Sequence, residues 1–424
     1  MKIIDNLFGD SLLKNSIYLI ATNFIGGILA FLFWIIAARY YTIDDVGLGS
    51  AIFSSISLIS MVGTVGLPTA LVFYLPRDAN TDKIISSCLT TGIISSIIFS
   101  LIFISGLQIW THELMPILNN LTNILIFIFV TTAIIISTLM NAILVAGKRA
   151  LFLMIKDTIY NFSKMVPLIL FSGFGAIGIL MSMGVGLVLC VTLGFILLFK
   201  VWKYSPRLTL DPIIMKMASF SAGNYVAFIF YSLPILLLPI IILNMVSAKS
   251  AGYFYIAIMI ANFLYGTSQS ISNSLFAESS DINKFLNNIN KSIKFGLIVL
   301  IPGIIFLMIF GKLLLSIFNP EYAANAFNAM IVLVVASIPV SLISLFNTVR
   351  SSQHRISSAI RMNILIASIT IILSVPLIRI MNIEGAALSY LIANMIGASI
   401  VISRVNYAAL KGGACISECN ERVN

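Results

Sequence analysis

Residues 122–149 read TNILIFIFVTTAIIISTLMNAILVAGKR: the segment 122–146 carries no charge and closes on Gly147-Lys148-Arg149. A hydrocarbon layer about 30 Å thick is crossed by about 20 helical residues, so this segment predicts a membrane span that ends on a basic surface. Working outward, comparable apolar runs occupy 15–38, 46–74, 84–109, 151–174, 176–199, 217–243, 251–275, 293–318, 326–349, 359–381 and 383–403. Twelve spans are therefore expected. The tails and the gaps after even-numbered runs hold 20 of the 25 Lys and Arg residues, among them Lys83, Lys148, Arg149, Lys156, Arg207 and Arg361. The opposite gaps hold only Arg39, Lys249, Lys312 and Arg379, while Lys164 stands inside the fifth run. Cytoplasmic loops are the ones rich in Lys and Arg, which predicts a multi-pass protein of the cytoplasmic membrane with both termini in the cytoplasm.

Composition agrees. The chain is 59% hydrophobic and 9% charged, with a mean hydropathy of +1.07, far too apolar for a water-soluble domain of 424 residues. The net charge of +10 then reads as loop bias toward anionic lipid headgroups, not as a nucleic-acid surface. The amino terminus shows no short apolar segment followed by a small-residue cleavage site, so the first run is expected to remain as a span. Cys88, Cys190, Cys415 and Cys419 form no disulfide framework, and Cys415 with Cys419 makes a poor metal site. No Gly-rich Lys-Ser/Thr loop is present, and only His112 and His354 occur. No cofactor, metal or catalytic residue is expected.

Shifting the chain on itself by about 205 residues brings Val46-Gly47 onto Ala251-Gly252 and Gly147-Lys148-Arg149 onto Ser352-Gln353-His354, with Lys156 onto Arg361. Gly175-Ala176-Ile177-Gly178 similarly meets Gly385-Ala386-Ala387 at a shift of 210. The expected fold is thus all-α and polytopic, with two six-helix bundles related by a pseudo-twofold along the membrane normal. Repeats of even span number enter from the same side, which requires that axis. The expected division is 1–203 for the first bundle, 204–216 for a cytoplasmic linker, 217–404 for the second bundle and 405–424 for a cytoplasmic tail. Two such bundles with a cleft between them suit alternating access.

The stretch from Trp34 through Ala38-Arg39-Tyr40-Tyr41 to Asp44-Asp45-Val46-Gly47-Leu48-Gly49-Ser50-Ala51 resembles the opening of the polysaccharide flippases. Gly66-Leu67-Pro68 with Tyr74-Leu75-Pro76-Arg77 is similar to that family's second span, Phe276-Ala277-Glu278-Ser279-Ser280 to the end of its eighth, and Asn319-Pro320-Glu321-Tyr322 to its loop before the tenth. The chain thus resembles, over nearly its whole length, the Wzx-like group of the multidrug/oligosaccharidyl-lipid/polysaccharide (MOP) exporter superfamily. That resemblance implies a flippase for lipid-pyrophosphate-linked oligosaccharide, with membrane lipids, the lipid-linked glycan and glycan-assembly enzymes as partners. A drug or metabolite antiporter on the same fold, and a membrane glycan polymerase or ligase, are the alternatives. The first lacks the acidic residue that drug-exporting relatives carry in the first span; the second would need a larger external loop than any gap here provides.

Polar residues inside spans are the candidate site, since an intramembrane charge or amide must face a cavity or a partner. Lys164 shares a helical face with Asp157, Tyr160 and Asn161 and has two readings. It lines a cavity and attracts pyrophosphate, or its stem snorkels to the cytoplasmic interface about 10 Å away. Arg39 and Arg361 are either substrate contacts or interface anchors. Asn23, Asn161, Asn224, Tyr231, Asn262, Gln269 and Asn273 either bond between helices or meet a sugar. Pro234 and Pro239 are expected to break the seventh span and act as a hinge. With no carboxylate deep in a span, membrane potential is the expected drive.

Overall fold

The computed structural model describes residues 11–78, 80–277, 282–353 and 355–410, and among them every regular element is helical. We number the longer helices α1 (Ser11–Tyr40), α2 (Ile43–Gly63), α3 (Leu67–Tyr74), α4 (Thr81–Ser105), α5 (Leu121–Ala146), α6 (Ala150–Ser163), α7 (Met165–Leu170), α8 (Ala176–Trp202), α9 (Ile213–Met245), α10 (Ala248–Ala277), α11 (Ile282–Phe318), α12 (Phe327–Ser352) and α13 (Ile356–Leu410). Nine helices among the described residues are long and apolar enough to cross a bilayer. The other expected passes are present in altered form. The fifth is split at Lys164 into α6 and α7, the eighth is α10, and α13 contains two passes joined at Asn382, whose φ is 49°. The chain is a multi-pass membrane protein.

Local chemistry sets the helix ends. Thr42 accepts a bond from the Asp45 amide (3.1 Å) at the start of α2, and Ser247 does the same for Ser250 (3.2 Å) at the start of α10. These caps lie 205 positions apart, and each satisfies an amide that the helix itself cannot. The two glycines that follow, Gly47 and Gly252, pack on one another. A Cβ at Gly47 would run into the Ala248 carbonyl, and one at Gly252 would lie 3.2 Å from both the Gly47 nitrogen and the Ile43 oxygen. Small residues let membrane helices approach this closely. Equivalent positions of a repeat that touch each other lie on its symmetry axis, as in an isologous contact.

By contacts the chain forms two compact units. The first comprises residues up to Ile256 together with 313–325; the second comprises 257–312 and the residues from Ala326 onward. These units follow packing and do not coincide with the repeat-based division at 203 and 217, because α9 and the first turns of α10 pack within the first unit. In that unit α5, α6 and α8 pack on one another, and Leu71, Ile84, Leu139, Ile143, Leu198 and Met217 belong to one buried apolar cluster. In the second, α12 packs along α13. Residues 203–211 form an irregular linker, in which Asp211 accepts the Ile213 amide (2.8 Å) at the start of α9 and pairs with Lys83 at 2.5 Å. The bond from Lys83 holds the Asp211 carboxyl below the usual carboxylate range. Most of the tail 405–424, with Cys415 and Cys419, lies outside the described residues, as do Glu278 and the Asn273 side chain.

Candidate functional site

The second span is not one helix. α2 stops at Gly63, Val65 and Gly66 take positive φ angles of 48° and 72°, and α3 begins at Leu67 with Pro68 in its first turn. A β-branched residue in the left-handed region is an outlier that its surroundings must hold in place. Those surroundings are on α9. A Cβ at Gly66 would sit 2.6 Å from Ser221 Oγ, and the Tyr225 hydroxyl lies 3.2 Å from Thr64 Oγ1 and is also bonded by the backbone of Val65 and Gly66. Broken backbone at membrane depth survives only where it is buried in protein or lines a wet cavity. Here it does the latter.

The cavity beside the break has a volume of about 710 Å³, within the range of small-molecule sites. Its polar lining comes from Ser57, Ser60 and Thr64 of the second span, Thr69 of α3, Thr138 of α5, and Asn224, Tyr225, Tyr231 and Ser232 of α9; most of the remaining surface is apolar, with Ile134, Phe228, Ile235 and Leu236. No Lys, Arg, Asp or Glu lines it. Ser60 is only 7% exposed and its hydroxyl has no partner in the protein. Hydroxyls, one amide and aromatic faces suit a sugar, which offers hydroxyls to bond and C–H faces to stack.

The sequence candidates come together only in part. Asn224 and Tyr231 line this cavity. Lys164 does not. It is 5% exposed at the junction of α6 and α7, with its ammonium 4.6 Å from the centre of the Phe33 ring and 4.4 Å from that of Tyr160. The cation is held on aromatic faces inside the first unit and does not snorkel. Asn161 donates to the Asp157 carbonyl (2.9 Å) on its own helix. Arg39 is exposed and gives two bonds to the Ile317 carbonyl (3.1 and 2.8 Å), where a cation caps the last turn of α11. Arg361 is exposed and bonds the Ser357 carbonyl one turn back (3.3 Å). Asn23 on α1 and Asn262 and Gln269 on α10 are exposed on their helices. α9 runs unbroken through Pro234 and Pro239, both buried, so the expected break in that helix is absent. The breaks lie instead at 64–66, Lys164 and Asn382.

One charged cluster was not legible as such. Lys156, counted above as a loop cation, is fully buried and pairs with Asp157 Oδ1 at 2.8 Å. Its ammonium also donates to Ser137 Oγ (2.9 Å) on α5 and Cys190 Sγ (3.3 Å) on α8, and Asn141 Nδ2 donates to Asp157 Oδ2 (2.9 Å). Lys164 is therefore not the lone charge within the fifth run. The available signal was position: Lys156 lies six residues inside a helix that starts at Ala150, about 9 Å from its end. The second half has a neutral counterpart. Asn347 donates to Asn363 Oδ1 at 3.1 Å, and both residues stand 206 positions after Asn141 and Asp157. The register set by that bond, 206 instead of 205, puts Met362 on Lys156 and leaves the exposed Arg361 one position off it, which corrects the pairing of Lys156 with Arg361.

The fold is that of the MOP-superfamily exporters. A solved structure titled lipid II flippase MurJ, inward closed conformation, superposes with a TM-score of 0.74 at 16% identity, covering 92% of this chain and 87% of that one. Two solved structures titled as conformations of a multidrug resistance MATE family transporter of the MOP superfamily also match. The inward-facing conformation gives 0.70 at 15% identity, covering 92% of this chain and 96% of that one; the outward-facing one gives 0.65 at 14%, covering 95% and 96%. A family model described as "Polysaccharide biosynthesis protein" matches residues 12–264, more than half of the chain, and the chain belongs to that family. No curated protein matches the sequence.

Proposed function

We propose that the protein is a flippase that moves lipid-diphosphate-linked oligosaccharide across the cytoplasmic membrane by alternating access, with both termini in the cytoplasm, and that it is not an enzyme. The observation that carries this reading is the cavity beside the broken second span: uncharged, largely apolar and aromatic, with hydroxyls and the Asn224 amide set into it. A glycan fits such a lining, and the family is one of polysaccharide biosynthesis. The drug-antiport reading is weaker, because no carboxylate lines the cavity and Asp157 is already paired with Lys156. A polymerase or ligase reading is weaker, because the gaps between the apolar runs are short. The uncharged lining also redirects the earlier expectation for the diphosphate: Lys164 is buried away from the cavity, so the sugar is what this lining contacts.

Cells lacking the protein are expected to lose a surface glycan and to accumulate its lipid-linked precursor. The double variant Asn224→Ala/Tyr231→Ala, present at normal membrane level, should restore little of that export. Unchanged surface glycan and precursor in the deletion strain would refute the reading. On topology, cysteines placed at Gly147 and Ser352 should resist an impermeant thiol reagent in intact cells, while those at Glu113 and Glu321 should label.

A further inference from the structure

The Lys156–Asp157 cluster plays no part in the cavity. The Lys156 side chain has no exposure, and its three donors are taken by Asp157 Oδ1, Ser137 Oγ and Cys190 Sγ. Its stem lies along α8, where a Cβ at Gly194 would come within 3.5 Å of the Lys156 Cδ. Asn141 holds the other carboxylate oxygen through its NH2 group, and its own Oδ1 is buried without a partner. The ammonium thus sits on a carboxylate oxygen and a hydroxyl oxygen, the kind of donors that hard cations take, with a thiol as its third partner. Tyr160 and Cys190 are the titratable neighbours, and neither supplies a second positive charge.

We propose that Lys156 is a resident cation: its tethered ammonium fills a monovalent-cation site built around Asp157, and removing it opens that site to sodium. The second half supports this. There, in the register set by the Asn347–Asn363 bond, Met362 and Asn363 stand in place of the lysine and the aspartate, and Asn347 donates to Asn363 as Asn141 does to Asp157. An intramembrane carboxylate needs a compensating charge, and here the chain carries its own. The site therefore needs no dissolved cation, whatever the protein transports.

The test uses the purified full-length protein, with thermal unfolding measured at one pH in sodium chloride and in choline chloride of equal concentration. Lys156→Met is expected to unfold about 3 °C or more higher in sodium than in choline, beyond any such difference in the wild type. Lys156→Met/Asp157→Asn, which installs the second half's pair, should return to the wild-type difference. Lys156→Gln gives a second version that keeps a donor toward Ser137, and it should show the same sodium response. Recovery of Lys156→Met in folded form from sodium but not from choline also supports the site. Equal sodium responses in the wild type, Lys156→Met and Lys156→Gln would overturn the proposal. So would a sodium response that survives in the double variant.

Discussion

Asn141 faces Asp157, and 206 residues later Asn347 faces Asn363. The first pair includes a carboxylate and recruits a buried lysine, a serine and a cysteine. At the corresponding positions the second half has Met362 and Ile343 and, at the shift of 210 that aligns the sixth and twelfth spans, Ile400. The spans before these pairs differ in the same sense: 64–66 breaks the second span, whereas 269–271 continues α10 as helix. A duplicated scaffold has thus kept its caps, its glycine contact and one amide bond in both copies. Charge and the break within a span are concentrated in the first copy, and the cavity beside that break is shared with α9, the first helix of the second copy. A repeated fold fixes where side chains meet; the chemistry at each meeting point can diverge.

The largest expected effect breaks the first pair on one side. Asp157→Asn leaves the Lys156 ammonium buried without a counter-charge and should lower stability by about 3–5 kcal/mol, read by denaturant unfolding in detergent. The reciprocal change, Asn363→Asp, places a carboxylate beside Met362 with no cation and should cost about 3 kcal/mol in the same assay. Adding Met362→Lys should recover only part of that loss, because Ile343 and Ile400 offer the ammonium no other acceptors.

Smaller effects sharpen the contrast. Tyr225→Phe removes the hydroxyl bonded at the break in the second span and should cost about 1–2 kcal/mol. The double change Lys156→Met/Asp157→Asn should stay within about 1 kcal/mol of the wild type, since neutral replacement of a buried pair is often tolerated. The smallest effect concerns the pair of the exposed Lys83 with the partly covered Asp211. The Asp211 carboxyl is held low by Lys83, so the pair's contribution is present above the ordinary aspartate pKa of about 4 and is lost as pH falls through the lowered folded value. The unfolding temperatures of wild type and Asp211→Asn should therefore converge on acidification. A constant gap down to pH 2 would contradict this.

Twelve spans were legible because a bilayer imposes one length and one composition, and the charge asymmetry gave their expected orientation. The repeat showed in caps and glycines, where backbone geometry restricts the residue. Asn224 and Tyr231 were recognisable as polar residues in an apolar span, but equally so were Asn262 and Gln269. Only packing separates a cavity wall from an exposed face. Lys156 escaped because a cation close to a run's end reads as loop; its burial depends on Ser137 and Cys190, which belong to other helices. The break at 64–66 was signalled by Gly66-Leu67-Pro68, whereas Pro234 and Pro239 suggested a break in α9 that the helix does not make. Neighbouring helices can support a proline-containing turn; Val65 and Gly66 had the Tyr225 hydroxyl to support theirs.

The most direct measurement is transport by the purified protein in vesicles carrying a diphosphate-linked oligosaccharide lipid, with exposure of the glycan on the opposite face scored by an impermeant lectin. Protein-dependent exposure is expected, reduced severalfold by Asn224→Ala/Tyr231→Ala. It should follow an imposed potassium diffusion potential more closely than a pH gradient. Vesicles in which the glycan stays on its original face while a cationic drug is exchanged against protons would contradict the flippase reading.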